Sequence, residues 1–303
     1  MHAEQETIGF LRSIPCIKHD EGHGFTLIEL LVVMSIISLL LGIGLPALNK
    51  ARHQARTLLG TSRQRQIVRA VGLYAADNDD QYPESVATIG LGDHWNWQEP
   101  TMLTGYRKRT TRLYRSASAY LGPYIKDASV MSCPHAPAEH QYLQQAWEAA
   151  EDWGNPDAPL IMGLLIGTYC LYWNYSGLLQ GQGQLFHGPR TLSGGFRQST
   201  LLVSCYLGYN HWSSPNAYRS CNTFKQADPT EETWFSSSYW SGPDSDDGLD
   251  ALTLKLHAGY TDEHVESYAP TEVIPMEVIM NRSTAEPYPS GVGPGIFYLP
   301  PYE

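Results

Sequence analysis

Residues 24–48 read GFTLIELLVVMSIISLLLGIGLPAL. From Phe25 to Leu48 the only charged side chain is Glu29. Those 24 residues make a helix of roughly 36 Å at about 1.5 Å each, and a bilayer core needs about 20 apolar residues. The stretch therefore reads as a transmembrane helix. Gly42, Gly44 and Pro46 predict a kink or an unwound turn near its far end, because proline removes a helical hydrogen bond. A carboxylate in hydrocarbon costs about 2.5–3.5 kcal/mol on insertion scales, so Glu29 calls for a partner. No Lys, Arg or His lies within the stretch. A free α-amino group would serve, and one would exist at the right depth if the chain were cut just before Phe25. It would belong to the same chain or to a neighbouring subunit.

A helical pattern resumes after Pro46. ALNKARHQARTLLGTSRQRQIVRAVGLYAADN, residues 47–78, places Ala47, Ala51, Ala55, Leu58, Leu59, Ile67, Ala70, Val71 and Tyr74 at spacings near three and four. That is one apolar stripe with arginines opposite. Gly60, Thr61 and Ser62 weaken it, and Asp77-Asn78-Asp79-Asp80 ends it with turn formers. The rod from Phe25 to about Ala76 would be roughly 75 Å long.

From Gln81 onward glycine, proline, serine, tyrosine and tryptophan dominate. A short helix is expected over His140 to Asp152. Strands are expected at Gly167 to Tyr172, Thr200 to Tyr206, Ala251 to His257, His264 to Tyr268 and Glu272 to Met280. The clearest is ALTLKLH, where Leu252, Leu254 and Leu256 alternate with polar residues, the period of a half-buried strand. No internal repeat is visible. The fold class is α+β: a long N-terminal helix, half transmembrane and half amphipathic, packed on an antiparallel-sheet head.

Charge divides along the chain. The net charge is −11 over 303 residues. Between Gly42 and Ala76 there are six basic residues and no acid; from Asp77 onward there are 12 basic and 26 acidic residues, a net of −14. The acidic body argues against nucleic-acid binding, which needs clustered Lys and Arg. Of five cysteines, Cys16 precedes the apolar run. Cys133, Cys170, Cys205 and Cys221 lie in the body as candidate disulfide partners, with three connectivities open; buried free thiols are the plain alternative. None forms a CxxC pair, which argues against a zinc ribbon.

Catalytic signatures are missing. There is no HExxH, GxSxG, Walker-type GxxxxGK[ST] or helix-opening GxGxxG, so no enzymatic role, cofactor or metal ligand is expected. The acidic runs Asp77 to Asp80 and Asp244 to Asp250 carry oxygens that calcium uses, although solvated turns explain such runs as well. Trp95-Asn96-Trp97 and Tyr172-Trp173-Asn174-Tyr175 set ring faces beside amides, a composition that stacks on sugars or packs a core. His187, His211, His257 and His264 are scattered and argue no ligand cluster; His264 reads as a half-buried strand residue.

Gly24 followed by FTLIELLVVMSIISLLL resembles the class III signal of type IV prepilins and type II secretion pseudopilins. The resemblance implies a leader at residues 1–24, cut after Gly24 by a prepilin peptidase that then methylates Phe25. It makes Glu29, five residues after the cut, the assembly residue. LPALNKARHQAR, YAADNDDQYP at Tyr74 to Pro83, Cys133-Pro134 and TDEHVESY at Thr261 to Tyr268 resemble the large pilin-like proteins abundant in planctomycete-type bacteria. That group carries an Asp-Gly-His-Val signature; here Glu263 stands at the glycine position between Asp262 and His264. The family turn needs a positive φ that glycine tolerates, so the hairpin turn is expected elsewhere, around Ala258-Gly259. Many relatives also have Cys and Asn-Asn-Leu where this chain has Thr57-Leu58-Leu59-Gly60.

The expected protein is thus a pilin-like subunit with a helix at 25–76 and an extracytoplasmic head at 77–303. Its partners would be the peptidase, other pilin or pseudopilin subunits and the bacterial cytoplasmic membrane, crossed once. The flanking charges read the other way: Arg12 and Lys18 precede the helix, and Lys50, Arg52 and Arg56 follow it. By count alone the body is cytoplasmic, but long domains translocate regardless of charge. The alternative function is a membrane-anchored module that binds a glycan or another ligand.

Overall fold

The computed structural model describes residues 25–88, 99–104, 116–136, 143–150, 165–195, 198–209, 218–226, 238–240, 245–281, 284, 286–287 and 295–302. Gly24 and the rest of the leader, Arg12, Cys16, Lys18, Trp95 to Trp97, His140, His211 and Asp244 lie outside them. The described chain divides into two units, residues 1–51 and 52–303.

Helix α1 runs Leu27–Asp77. Its start is written in the sequence. Thr26 and Glu29 form a capping box: the Thr26 N–H and Oγ1 both donate to Glu29 Oε2, at 2.9 and 2.7 Å, and Glu29 N–H donates to Thr26 Oγ1 at 3.3 Å. The unwound turn expected at Gly42 to Pro46 does not occur, because the helical backbone is continuous through Pro46. A proline deletes a single donor, and the turns on either side keep theirs. The C-terminus closes as a left-handed cap. Asp79 takes φ 50°, and Asp80 N–H reaches back to the Ala75 carbonyl at 2.9 Å, the six-to-one bond of that motif.

The first part of α1 is bare. From Leu27 to Leu48 every residue is exposed, and α1 is long and apolar enough to cross a membrane by length and composition. The second part buries a face that keeps Ile67, Ala70 and Val71 of the expected stripe and leaves out its earlier members. Leu58 and Leu59 are exposed, while Gly60, Gln64, Ile67, Val68, Ala70, Val71 and Ala75 are buried. Gly60 opens that face, with Pro134 packed against it; a β-carbon there would lie 3.6 Å from Pro134 Cδ, in ordinary van der Waals contact. Burying Ile67, Val68 and Val71 stabilises the head by about 1.5–3 kcal/mol each.

Two short helices follow, α2 Ala117–Leu121 and α3 Leu143–Ala149. The strands are β1 Tyr169–Leu171, β2 Ser176–Leu179, β3 Gln184–His187, β4 Leu201–Cys205, β5 Leu207–Tyr209, β6 Tyr218–Ser220 and β7 Phe224–Gln226. Then come β8 Ser238–Trp240, β9 Leu256–Tyr260, β10 Val265–Tyr268, β11 Ile274–Glu277, β12 Ile279–Asn281, β13 Glu286–Pro287 and β14 Ile296–Leu299. A four-stranded sheet has the order β1-β4-β9-β10 and a six-stranded sheet the order β3-β2-β11-β14-β5-β6, all pairs antiparallel. Pairs β7-β8 and β12-β13 stand apart. The fold class is the expected one.

Two strand expectations fail in instructive ways. Ala251 to Lys255 is not in a strand, although its burial alternates as foreseen; the segment packs Leu252 inward without a ladder partner, and pairing begins at Leu256. The hairpin turn is not at Ala258-Gly259, which lie inside β9 opposite Glu266 and Val265. It lies at Thr261 to His264, where Glu263 itself takes φ 68°. Three things hold it there: its N–H donates to the Tyr260 carbonyl at 3.0 Å, Asp262 Oδ1 accepts the His264 N–H at 3.2 Å, and its carboxylate meets Arg69 Nε at 3.1 Å.

The four-stranded sheet lies against the second part of α1. β4 and β9 are buried on both faces. Gly259 sets the distance: a β-carbon there would stand 2.8 Å from Val68 Cγ2 and 3.1 Å from Val203 Cγ1. Gly259→Ala is expected to cost about 1–3 kcal/mol through overpacking. Adding Val68→Ala should recover part of that loss, and chemical denaturation of the full chain in detergent micelles measures both.

Candidate functional site

The first candidate site is the start of α1. Phe25 and Glu29 are exposed, as are the apolar side chains around them. Glu29 is not unpartnered within its own chain, because Thr26 supplies both a backbone and a hydroxyl donor. This partner is uncharged, unlike the basic side chain or α-amino group expected; Thr-x-x-Glu before an apolar run is the sequence signature of the capping box. The carboxylate thus closes a helix end with two hydrogen bonds and remains open to solvent or to a neighbour on its other oxygen.

The second is inside the head. Three of the four body cysteines converge: Cys133, Cys205 and Cys221 are all buried, and their sulfurs lie within 4.8 Å of one another. Cys133 and Cys221 stand 3.3 Å apart, sulfur to sulfur. They come from distant places. Cys133 follows a short 3-10 turn, Ala128–Met131, and its N–H is held by Thr168 Oγ1 at 2.6 Å. Cys205 ends β4. Cys221 follows β6, with its N–H on the Tyr206 carbonyl at 3.2 Å. Cys170 belongs to β1 and is set apart, since the neighbouring Tyr169 is the residue that pairs with Cys205 across the sheet and successive strand residues face opposite ways.

Polar groups surround the cluster. Gln64 Nε2 donates to Cys205 Sγ at 3.5 Å and to the His257 carbonyl at 3.1 Å. The His257 N–H donates to the same sulfur at 3.4 Å. Gln64 Oε1, Tyr169 Oη and His257 Nε2 are buried without a hydrogen-bond partner among the described residues. Donation from the Cys205 and Cys221 thiols holds Cys133 well below the usual thiol range, and the same contacts hold Cys205 and Cys221 in the protonated form. Burial keeps the His257 and His135 imidazoles below their ordinary range, and pushes the Tyr169 phenol up. The arrangement therefore favours ionisation at Cys133 over Cys205 and Cys221.

Other sequence candidates are used for structure. Asp77 Oδ2 accepts the Tyr124 hydroxyl at 2.7 Å, and Asp80 Oδ1 accepts the Ser193 N–H at 3.0 Å. Among the described residues, the three cysteines are the one group with metal-ligand proximity. Tyr172, Trp173 and Tyr175 are buried, so their rings pack the core and offer no stacking face. His264 precedes β10; it is exposed, stacked on Tyr260 at 4.3 Å between ring centres and hydrogen-bonded to Asp262. Its place outside the strand follows from the turn at Thr261 to His264.

The bare apolar helix with its capped acid defines a prepilin-like N-terminal segment. Residues 22–45 match the model of the prokaryotic N-terminal methylation motif. The chain is also similar to the type IV wide pilus major component PilA4 of Thermus thermophilus, 38% identical over 69 residues, which is 23% of this chain and 53% of that protein. The chain thus spans about half the length of the curated relative it matches. No solved structure matches it.

Cys170 gives a pH test. Burial pushes its thiol up to about 12. A thiol neutral in the fold but free to ionise when unfolded leaves stability intact below the unfolded value near 8.5. Stability then falls as pH rises toward 12, by about 1.4 kcal/mol per unit from this group. Alkylation of native chain at pH near 8.5 is expected to label Cys170 at least about tenfold more slowly than in denaturant. Equal rates in the two states would contradict the burial.

Proposed function

We propose that the chain is a type IV pilin-like subunit that acts by assembly. Prepilin peptidase cuts between Gly24 and Phe25 and methylates the new Phe25 amine. The apolar part of α1 then holds the subunit in the cytoplasmic membrane, with the head outside. On assembly the same surface exchanges lipid for the helices of neighbouring subunits, and Glu29 pairs with the Phe25 amine of an adjacent copy. No chemistry by the chain itself is required.

One observation carries this reading. From Leu27 on, the methylation motif at residues 22–45 falls on a helix segment whose apolar side chains have no cover among the described residues. An apolar surface of that extent needs lipid or protein around it, and a shared surface that accepts both is what membrane storage followed by packing requires. The similarity to a pilus component supports the same direction.

The mature N-terminus, read by mass spectrometry on protein from native membranes, tests the processing step. A start at Phe25 bearing one extra methyl is expected; an intact leader, or a cut beyond Leu41, would sink it.

Glu29 is tested by two variants. Glu29→Gln keeps an oxygen that can accept from Thr26 and loses the charge, while Glu29→Ala loses both. Both are expected to insert and to be cleaved, and both should enter filaments about tenfold less well, the factor that about 1.4 kcal/mol of pairing represents. Normal incorporation of Glu29→Gln would reduce Glu29 to a helix cap.

A further inference from the structure

We propose that Cys133, Cys205 and Cys221 form a metal site in the head, taking a thiolate-preferring d10 cation of which Zn2+ is the representative. The site is independent of the assembly surface and has no counterpart in the methylation motif.

Geometry is the first argument. Zinc holds thiolate sulfur at about 2.3 Å, so two sulfurs of a tetrahedral site stand about 3.8 Å apart. The three sulfurs here lie within 4.8 Å of one another, the closest pair at 3.3 Å. They bracket that spacing, and small side-chain rotations bring them to it. All three residues are at least nine-tenths buried, at 3%, 3% and 4% exposure. Soft sulfur donors select zinc over magnesium or calcium.

The surroundings are the second. A metal-bound thiolate accepts N–H hydrogen bonds that orient it and spread its charge. Cys205 Sγ already receives two, from Gln64 Nε2 and from the His257 backbone. Three further polar atoms in this region, Gln64 Oε1, Tyr169 Oη and His257 Nε2, are buried and find no partner among the described residues. Leaving such atoms bare costs about 1–3 kcal/mol each. An outer ring of hydrogen bonds would use them; among the described residues no His, Asp or Glu joins the three sulfurs within 4.8 Å, so a water would complete the four ligands.

A disulfide between Cys133 and Cys221 is the competing chemistry. It would use two sulfurs and leave Cys205, the sulfur that receives the N–H donors, as a bystander. Metal binding uses all three, and each thiol gives up its proton as the metal–sulfur bond forms.

The test uses the full chain in detergent, reduced, stripped with a chelator and titrated with Co2+. One equivalent is expected to produce thiolate-to-cobalt charge-transfer absorption and the visible bands of a tetrahedral ion, and one equivalent of Zn2+ should abolish both. Cys205→Ser should weaken binding at least about 100-fold, beyond the 10–100-fold that loss of an outer contact costs. Cys170→Ser should leave binding unchanged. The wild-type titration stands alone if Cys205→Ser does not fold. Reduced wild type that gives no cobalt spectrum overturns the proposal. So does equal loss in Cys170→Ser, or protein isolated without reductant that carries a Cys133–Cys221 crosslink and no zinc.

Discussion

The contact between α1 and the four-stranded sheet carries the rest of the head. One helix face, from Gly60 to Ala75, is buried, while the residues from Leu27 to Leu48 are bare. Val68 sits over Gly259 with no room for a β-carbon, and Gln64 reaches past the sheet backbone to the His257 carbonyl and to Cys205. A helix that close to a strand places its polar side chains within reach of what the strand carries. The thiol cluster is therefore assembled partly by the same approach that excludes water from the core.

The sequence made the helix legible because its signals are local. An uncharged apolar run of bilayer length and a turn-forming acidic stop depend on neighbours only. The amphipathic half was harder. Leu58 and Leu59 fit the stripe by hydrophobicity, but a face is chosen by what packs on it, and Gly60 and Gln64 won because Pro134 and the sheet come close there. The strand at Ala251 to His257 shows the same limit. Alternating burial was correctly read, yet a ladder needs a partner strand, and only Leu256 and His257 of that segment have one.

Long-range features were out of reach for a different reason. Cys133 lies 72 positions before Cys205, and Cys221 lies 16 after it, so no spacing rule brings them together. Conversely, the Thr26–Glu29 pair is written plainly at a separation of three, but its donors are neutral and no charge pattern marks them. The turn at Glu263 lies between these cases. Steric preference pointed away from a left-handed glutamate, whereas hydrogen bonds from both sides of the turn and the Arg69 contact hold it there. A position that costs about 1 kcal/mol locally survives when several contacts over-determine it.

The capping box at the start of α1 gives the acid a resting partner. As long as Thr26 holds the Glu29 carboxylate, the charge is hydrogen-bonded within its own chain. Both hydrogen bonds end on Oε2, so in the proposed assembly an incoming amine would meet Oε1 without displacing either. In the proposed assembly, a chain that left its neighbours would keep the same capped helix end.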